Sequence, residues 1–304
     1  MPLSAGLVLC EPTELYNILN QSTVYPCLSD PNYLLLLDAR SSEDYAVSHV
    51  LTSKKAWLKN GEYLVPYDSE IECKTHCVVY DSHTRSLKDK GDAIACATVL
   101  ANSGSKSPVK VLRGGYEDFS ALYPFLRTQK IIYMPQELDD LMVWPCEVLP
   151  GLLYVANYEQ ACTAVILKEL KCKGYINVST EPDPSFPGRQ NPEVLRIVAE
   201  DSPDTDLLSH FEEACAFIDK QKKLEHAVLV FDTRGNSRNI CIALAYLMHL
   251  YKWPLKDAYK HMLGCKHNIS PNMGFIKQLG QWEEKLIGAD VTNISERNCH
   301  TWMR

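Results

Sequence analysis

The stretch HAVLVFDTRGNSRNICIALAYLMHLYKWP, residues 226–254, decides the fold of the second half of the chain. Its apolar run, 227–231, predicts a buried strand, and the apolar spacing from Ile240 onward predicts a helix. Between them lies a short polar loop, DTRGNSR. Backbone N–H groups converge where such a loop enters a helix, so the pattern is typical of an anion site. Yet the first residue of the loop, Asp232, is itself an anion.

The loop contains further residues suited to an anion. Gly235 permits a tight turn, and the planar guanidinium of Arg238 can hold two oxygens of a phosphate group. A phosphate dianion beside Asp232 would be repelled strongly in a medium of low dielectric constant. We therefore expect the Asp232 carboxylate to serve as an internal anion that accepts hydrogen bonds from the loop and pairs with Arg238.

The bulk composition indicates a globular chain of two domains. The chain has 304 residues, 46% of them hydrophobic and 23% charged, which is enough to fill two ordinary cores. Its formal net charge of -7 argues against bulk binding to nucleic acid or anionic membranes. The N-terminal segment lacks the basic region of a signal peptide, so a soluble intracellular protein is expected.

The cysteines predict neither a disulfide framework nor a metal site. Twelve cysteines are scattered without framework spacing, which is typical of reduced thiols in a cytosolic protein. The loose cluster of Cys73, His76, Cys77 and His83 lacks a second matched pair for zinc. We predict no metal and no cofactor.

Strand and helix patterns alternate along both halves of the chain, which predicts α/β domains with mostly parallel sheets flanked by helices. The first half contains predicted strands at 33–40, 77–81 and 109–112, and the second half at 175–180, 194–201 and 227–232. A last helix is predicted to begin at Ser270-Pro271, with proline at its first position. A proline-rich break suggests a first domain at 1–132, a linker at 133–147, a second domain at 148–288 and a tail at 289–304.

The loop resembles the signature His-Cys-x5-Arg of the cysteine-dependent phosphatases, in the Gly-x-Ser-Arg form of the dual-specificity group. The resemblance extends from GLLYVANYEQA, residues 151–161, to HNISPNMGFIKQLGQWE, residues 267–283. On this comparison the signature residues Gly235, Ser237 and Arg238 are kept, and Asp201 stands at the position of the general acid. Three positions differ, with Phe231 for the histidine, Asp232 for the cysteine and Asn239 for the hydroxyl residue.

These replacements affect the chemistry directly. The phosphatase reaction needs a thiolate of low pKa, and a carboxylate is a much poorer nucleophile. We therefore predict that the chain is not an enzyme and that Asp201 is a vestigial acid. Three alternatives remain open. Arg238 and the loop could still bind a phosphorylated side chain, Asp232 could form an acyl-phosphate, or another cysteine could act as nucleophile.

The first half resembles a rhodanese domain. The resemblance rests on YLLLLDARSSEDYAVSHV, residues 33–50, and on VLRGGYEDFSALYPFL, residues 111–126. Where an active rhodanese has its sulfur-transferring cysteine, this chain has Asp81, in VVYDSHTRS. Asp38 and Arg40 are expected to tie the strand to the following turn.

A rhodanese-like domain before a dual-specificity domain is the layout of the mitogen-activated protein kinase phosphatases. In that family the first domain docks kinases through a basic cluster. The matching segment here has Lys54, Lys55 and Lys59 but no run of arginines, so a solvated lysine face is the alternative.

The chain also resembles the STYX-like pseudophosphatases, inactive relatives of those phosphatases. It shares with them LCEPTELYNILNQ, residues 9–21, the segments FLRTQKII and MPQELD, and phenylalanine in place of histidine. In that group the cysteine position is a serine. The resemblance implies a binding regulator or scaffold in signalling, either cytoplasmic or mitochondrial. Its implied partners are an active mitochondrial phosphatase, which it could inhibit, and an RNA stress-granule nucleator, through which it would modulate granule assembly.

Overall fold

The computed structural model describes residues 6–23, 25–66, 70–132, 134–185, 192–288 and 292. The chain divides into two compact units, Met1–Val143 and Trp144–Arg304. Cys146 and Glu147, which the sequence analysis placed in the linker, lie in the first strand of the second unit. Of the predicted tail, only Thr292 lies within the described residues, and its backbone N–H donates to the buried Glu283.

The first unit is built on a five-stranded parallel sheet in the order β1-β8-β7-β2-β4. Its middle strands are buried on both faces because their residues are continuously apolar. The helix α3 covers one face of this sheet with Ala93, Cys96, Ala97 and Leu100. The sheet strands and the helices of this unit are β1 (Leu7–Cys10), α1 (Pro12–Leu19), β2 (Leu34–Asp38), α2 (Ser42–Val47), β4 (Lys54–Lys55), β7 (His76–Tyr80), α3 (Asp92–Asn102), β8 (Val109–Leu112), α4 (Gly115–Leu122) and α5 (Pro135–Asp139).

Two small antiparallel pairs accompany the main sheet. One joins β3 (His49–Val50) to β9 (Arg127–Thr128). The other is a hairpin of β5 (Trp57–Lys59) and β6 (Glu62–Leu64), in which Trp57 lies opposite Leu64. Neither pair was predicted from the sequence.

The second unit has a five-stranded sheet in the order β10-β11-β14-β12-β13. Four strands are parallel, and only β10 runs antiparallel, against β11. The α/β architecture with mostly parallel sheets is therefore confirmed. The elements are β10 (Cys146–Leu149), β11 (Leu153–Asn157), α6 (Tyr158–Cys162), α7 (Ala164–Glu169), β12 (Gly174–Asn177), β13 (Glu193–Arg196), α8 (Leu208–Lys223), β14 (Val228–Asp232), α9 (Arg238–Tyr251), α10 (Leu255–Cys265) and α11 (Met273–Ile287).

The strand β14 and the helix α9 form the centre of the second unit. All five residues of β14 are buried, and α9 is buried continuously from Arg238 to Met248. The helix is apolar all round because α8, α10, α11 and the sheet surround it. The stretch 226–254 therefore connects the middle of the sheet to the middle of the helical layer, and the loop between them has a rigid element on each side.

Several predicted boundaries are wrong, among them the end of the strand predicted at 175–180, which lies at Asn177. The last helix begins at Met273 rather than Pro271, because the Asn272 side chain caps it by accepting the N–H of Phe275 at 3.0 Å. The strand predicted at 194–201 ends at Arg196. The Ala199 carbonyl accepts a hydrogen bond from the Arg238 side chain rather than from a neighbouring strand. None of the described helices is both long and apolar enough to cross a membrane.

Candidate functional site

The loop after β14 lies at the carboxyl edge of the second sheet. Asp232 is the last residue of the strand and is paired in register with Asn157 of β11. Gly235 has a φ of 77°, and a Cβ placed on it would lie 2.8 Å from the Asn157 nitrogen. Glycine is thus required both by the backbone conformation and by the close approach of the neighbouring strand.

The Asp232 carboxylate fills the centre of this loop. Its Oδ1 accepts the N–H groups of Arg234, at 2.9 Å, and of Gly235. Its Oδ2 accepts those of Asn239, at 3.1 Å, and of Ser237, at 3.4 Å. The residue is fully buried. The expectation that Asp232 acts as the internal anion of the loop agrees with this geometry.

Arg238 does not pair with Asp232, so that part of the expectation is wrong. Both residues are among those that the structure describes, and the hydrogen-bond partners of the Asp232 carboxylate are backbone N–H groups. Arg238 instead donates from Nη1 to the Ala199 carbonyl at 2.9 Å, and its Nε is buried without a hydrogen-bond partner among the described residues. The four N–H groups satisfy the carboxylate, which leaves the guanidinium free to turn toward the segment before Asp201.

The remaining signature positions surround the loop. Asp201 accepts the Ser237 hydroxyl at 2.8 Å and the Asn272 amide at 3.2 Å, so it is held by polar partners. Asn239 donates its amide to the Ala156 carbonyl at 2.9 Å. Phe231 is fully buried, and its ring centroid lies 6.3 Å from that of Tyr158. The structure thus brings the sequence-predicted positions of the second unit together around one loop.

Asp81 of the first unit has a closely similar environment. Its Oδ1 accepts the N–H groups of His83, at 3.1 Å, and Thr84, at 2.8 Å. Its Oδ2 accepts the Thr84 hydroxyl at 2.6 Å and, at the start of α3, the N–H of Ala93 at 3.1 Å. Burial raises the pKa of the Asp81 carboxyl, but the hydrogen bonds from Thr84, Ala93 and His83 outweigh that effect and hold it below its usual range.

The two loops share one local pattern. Each aspartate lies at the carboxyl end of a central parallel strand and accepts N–H groups from the residues two and three positions later. Each also accepts an N–H from the first turn of the next helix, where partial positive charge favours a carboxylate. Thr84 and Ala93 were not predicted from the sequence as partners of Asp81. The spacing of Asp81 and Thr84 is typical of a capped turn and could have indicated the first of them.

Other residues singled out from the sequence have structural partners. The guanidinium of Arg40 binds Asp38 through two nitrogens, at 2.6 Å and 3.0 Å, which confirms the predicted tie between strand and turn. The Lys55 ammonium donates to the Ala56 carbonyl at 2.8 Å, and burial lowers its pKa. Lys54 and Lys59 are exposed on β4 and β5. The three lysines therefore do not form one exposed basic face.

Two buried cysteines of the second domain are not activated thiols. Burial raises the pKa of Cys241, on α9, well above its usual value, and that of Cys215, on α8, to about 12. A thiol in such surroundings is a weak nucleophile. Within the described part of the chain, no group of three or more His, Cys, Asp or Glu side chains is placed to hold a metal ion.

The two units match two known domain families. Residues 153–285 match the family model of the dual specificity phosphatase catalytic domain, and residues 12–122 match that of the rhodanese-like domain. The chain thus combines a rhodanese-like domain with a dual-specificity-phosphatase-like domain that follows it.

The similar proteins include named phosphatases. The chain is 34% identical over 142 residues to dual specificity protein phosphatase Mpk3 of Drosophila melanogaster, covering 47% of this chain and 34% of that protein. It is 27% identical over 252 residues to dual specificity protein phosphatase 4 of Gallus gallus, covering 74% of this chain and 66% of that protein. It therefore spans less than two thirds of the length of either relative.

One similar solved structure is that of the human tyrosine phosphatase-like serine/threonine/tyrosine-interacting protein. It is 26% identical, with a TM-score of 0.44, over 46% of this chain and 96% of that one.

These matches correct one prediction. We predicted that the chain is not an enzyme, but the matched family model is that of a catalytic domain, and the similar proteins are named phosphatases. Asp232 at the cysteine position therefore does not establish that the chain is inactive.

The lowered pKa of Asp81 predicts a pH-dependent contribution to stability. A carboxyl whose pKa is lower in the folded state stabilises the fold above its unfolded pKa, about 3.9, and loses this effect as the pH falls through the folded pKa. Asp81→Asn turns an amide toward the Ala93 N–H, so it should lower the free energy of unfolding by about 1–3 kcal/mol at pH 7.

Urea unfolding of both proteins between pH 7 and pH 3 measures this difference. The difference should begin to narrow below about pH 4, where the carboxyl of the unfolded chain takes up a proton, and should go on narrowing as the pH falls toward the lower pKa of the folded carboxyl. Glu43→Gln, at an exposed position of α2, is the matched control and should change little. A difference between wild type and Asp81→Asn that stays constant across the whole range would contradict the argument.

The preserved loop geometry predicts that thiol chemistry can be restored. Phe231→His with Asp232→Cys, alone and with Asn239→Ser, should raise aryl-phosphate hydrolysis over wild type by about 10²-fold or more. This is a small part of the ~10⁶-fold that an active-site nucleophile supplies in other enzymes. Adding Arg238→Met should abolish the gain, because the transferred phosphoryl group then loses its guanidinium partner. If the well-folded variants hydrolyse the ester no faster than wild type, the loop does not retain a productive geometry.

Proposed function

We propose that this chain regulates signalling by binding other proteins, with its two enzyme-like domains serving as binding surfaces. The phosphatase family of its second domain supports a place in signalling. The observation that carries the proposal is the Asp232 carboxylate, fully buried and hydrogen-bonded to four backbone N–H groups of the loop. Because these donors are already engaged, an incoming phosphate would have to displace a buried carboxylate.

The hairpin of β5 and β6 supports protein binding by the first domain. Trp57 is 67% exposed and lies opposite Leu64, which is 44% exposed. Leu58, on the same strand as Trp57, is 57% exposed. Large exposed apolar side chains close together are typical of protein interaction sites, and tryptophan is enriched among the residues that dominate binding energy.

The proposal extends to the partners that the family resemblance implies. These are an active mitochondrial phosphatase, which the chain would inhibit, and an RNA stress-granule nucleator, which would bring the chain into control of granule assembly. Binding to both requires a cytoplasmic population and a mitochondrial one. Kinase docking through Lys54, Lys55 and Lys59 receives less support, because Lys55 is engaged by a backbone carbonyl.

A second candidate function is binding of phosphorylated Ser, Thr or Tyr side chains through Arg238. One observation favours it, since the Nε of Arg238 is buried without a hydrogen-bond partner among the described residues. Buried guanidinium donors without an acceptor are costly, and a phosphate oxygen would satisfy this one. Under this alternative, Asp232 would have to leave the centre of the loop when the ligand binds.

Quantitative affinity purification from cells tests the leading proposal. The full chain should recover partner proteins, including a phosphatase or a stress-granule component. Trp57→Ser with Leu58→Ser should reduce that recovery several-fold. Val47→Ser replaces an equally exposed apolar side chain outside the hairpin and should recover the partners as wild type does.

Failure of the full chain to retain any protein above the level of a tag control would reject the leading proposal. Retention of phosphorylated proteins alone, abolished by phosphatase treatment of the lysate and by Arg238→Met, would favour the second candidate function.

A further inference from the structure

A cavity of about 340 Å³ in the first domain has no role in the proposed function. It lies at the carboxyl edge of the sheet, between the start of α1, the loop after β7, the end of β8 and one face of α4. Ligand pockets in proteins have volumes of about 300–1,000 Å³, so this cavity is of the size that suits a small molecule.

Four charged side chains form the rim of this cavity as two ion pairs. Arg85 donates from Nη2 to Asp118 at 3.0 Å, and Arg113 donates from Nη1 to Glu11 at 3.0 Å. Each guanidinium makes only this one side-chain hydrogen bond within the described residues, although it carries five N–H donors. The rim is electrically neutral overall and has positive and negative groups side by side.

The backbone beneath these side chains is fixed. The N–H groups of Arg85 and Ser86 both donate to Asp89 Oδ2 at 2.9 Å. The N–H of Arg113 donates to the Cys10 carbonyl at 2.9 Å, which ties the ends of β1 and β8 together. The charged groups thus extend from anchored positions while their ends remain open to a ligand, with 67% of the Arg85 side chain and 54% of the Arg113 side chain exposed.

The floor of the cavity is aliphatic. Pro12, Ala121 and Leu122 line it, and Leu122 is 58% exposed. Ala121 and Leu122 lie three and four residues after Asp118 on α4, so one helix face presents a carboxylate and, one turn later, an apolar surface. An exposed leucine at the base of a charged rim provides apolar area for a ligand to cover.

We propose that this cavity binds a free α-amino acid with an aliphatic side chain. Its carboxylate would bind the open N–H donors of Arg113 and Arg85, and its ammonium would bind Asp118 and Glu11. Its side chain would cover Pro12, Ala121 and Leu122. The neutral rim favours such a zwitterion over a simple anion, because an anion satisfies the guanidinium groups but is repelled by both carboxylates.

The exposed ion pairs can shift to admit these ligand groups. Solvent-exposed salt bridges contribute little to stability, so a small rearrangement that lets the ligand bind the open donors costs little. Carboxylates bind guanidinium groups through two parallel hydrogen bonds, which fixes the orientation of the ligand. A ligand without a carboxylate cannot bind the two guanidinium groups, and a ligand without an ammonium group cannot bind the two carboxylates.

An NMR titration of the full chain, labelled at leucine and alanine methyl groups, tests the proposal. The probes are L-leucine, 4-methylpentanoate, which lacks the ammonium group, and 3-methylbutylamine, which lacks the carboxylate. Leucine should shift the Leu122 and Ala121 methyl signals saturably, with a Kd in the millimolar range. Each analogue should bind at least about tenfold more weakly.

Substitutions at the rim of the cavity test whether leucine binds there. Arg113→Gln and Asp118→Asn should each weaken leucine binding about tenfold or more. Lys106→Gln, an exposed change in the same domain outside the cavity, should leave it unchanged. Thermal melts confirm that each variant is folded. The proposal is overturned if leucine gives no saturable shift at Leu122, if 4-methylpentanoate binds as tightly as leucine, or if Arg113→Gln binds leucine as wild type does.

Discussion

The second domain depends on one buried carboxylate and the backbone N–H groups around it. Asp232 ends the central strand of the sheet, and two of its four donors, the N–H groups of Ser237 and Asn239, belong to the start of α9. A buried charge without partners is strongly unfavourable, whereas hydrogen bonds to a charged group stabilise by about 1.5–3 kcal/mol each. The favourable potential at a helix N-terminus adds about 0.3–1 kcal/mol. The hydrogen bonds therefore contribute most of the free energy that offsets the cost of burying the charge. They also hold the strand, the loop and the helix in one arrangement.

The first domain, which has a different fold, contains the same arrangement of a carboxylate and backbone N–H groups. Asp81 also follows a central parallel strand and also accepts N–H groups from its own loop and from the next helix. In both domains the aspartate carboxylate accepts backbone N–H groups that could otherwise face an anionic ligand. This shared arrangement explains how each loop is stable without a bound anion.

Much of this arrangement could be predicted from the sequence, because it depends on local patterns. The apolar run before Asp232 and the helical spacing after it predict the strand, the loop and α9. The internal anion is predicted from the charge of Asp232 alone. The predicted hydrogen bonds from the loop to Asp232 agree with the structure, but its predicted pairing with Arg238 is wrong. Sequence spacing places Arg238 within reach, but the choice between backbone N–H groups and a guanidinium depends on how the loop turns and on where the Ala199 carbonyl lies. The hairpin of Trp57 and Leu64 was also missed, because only burial patterns were followed there, although its turn residues Asn60 and Gly61 both have positive φ and are typical of a two-residue hairpin loop.

The central claim is that Asp232 occupies the anion position of its loop, and thermal melts across a phosphate series at constant ionic strength test it most directly. Asp232→Ser vacates that position, so phosphate should bind there and raise the melting temperature progressively, because a ligand that binds only the folded state stabilises it by mass action. Wild type should respond much less. An equal gain in melting temperature for wild type and Asp232→Ser would show that Asp232 does not occupy the position and would contradict the account.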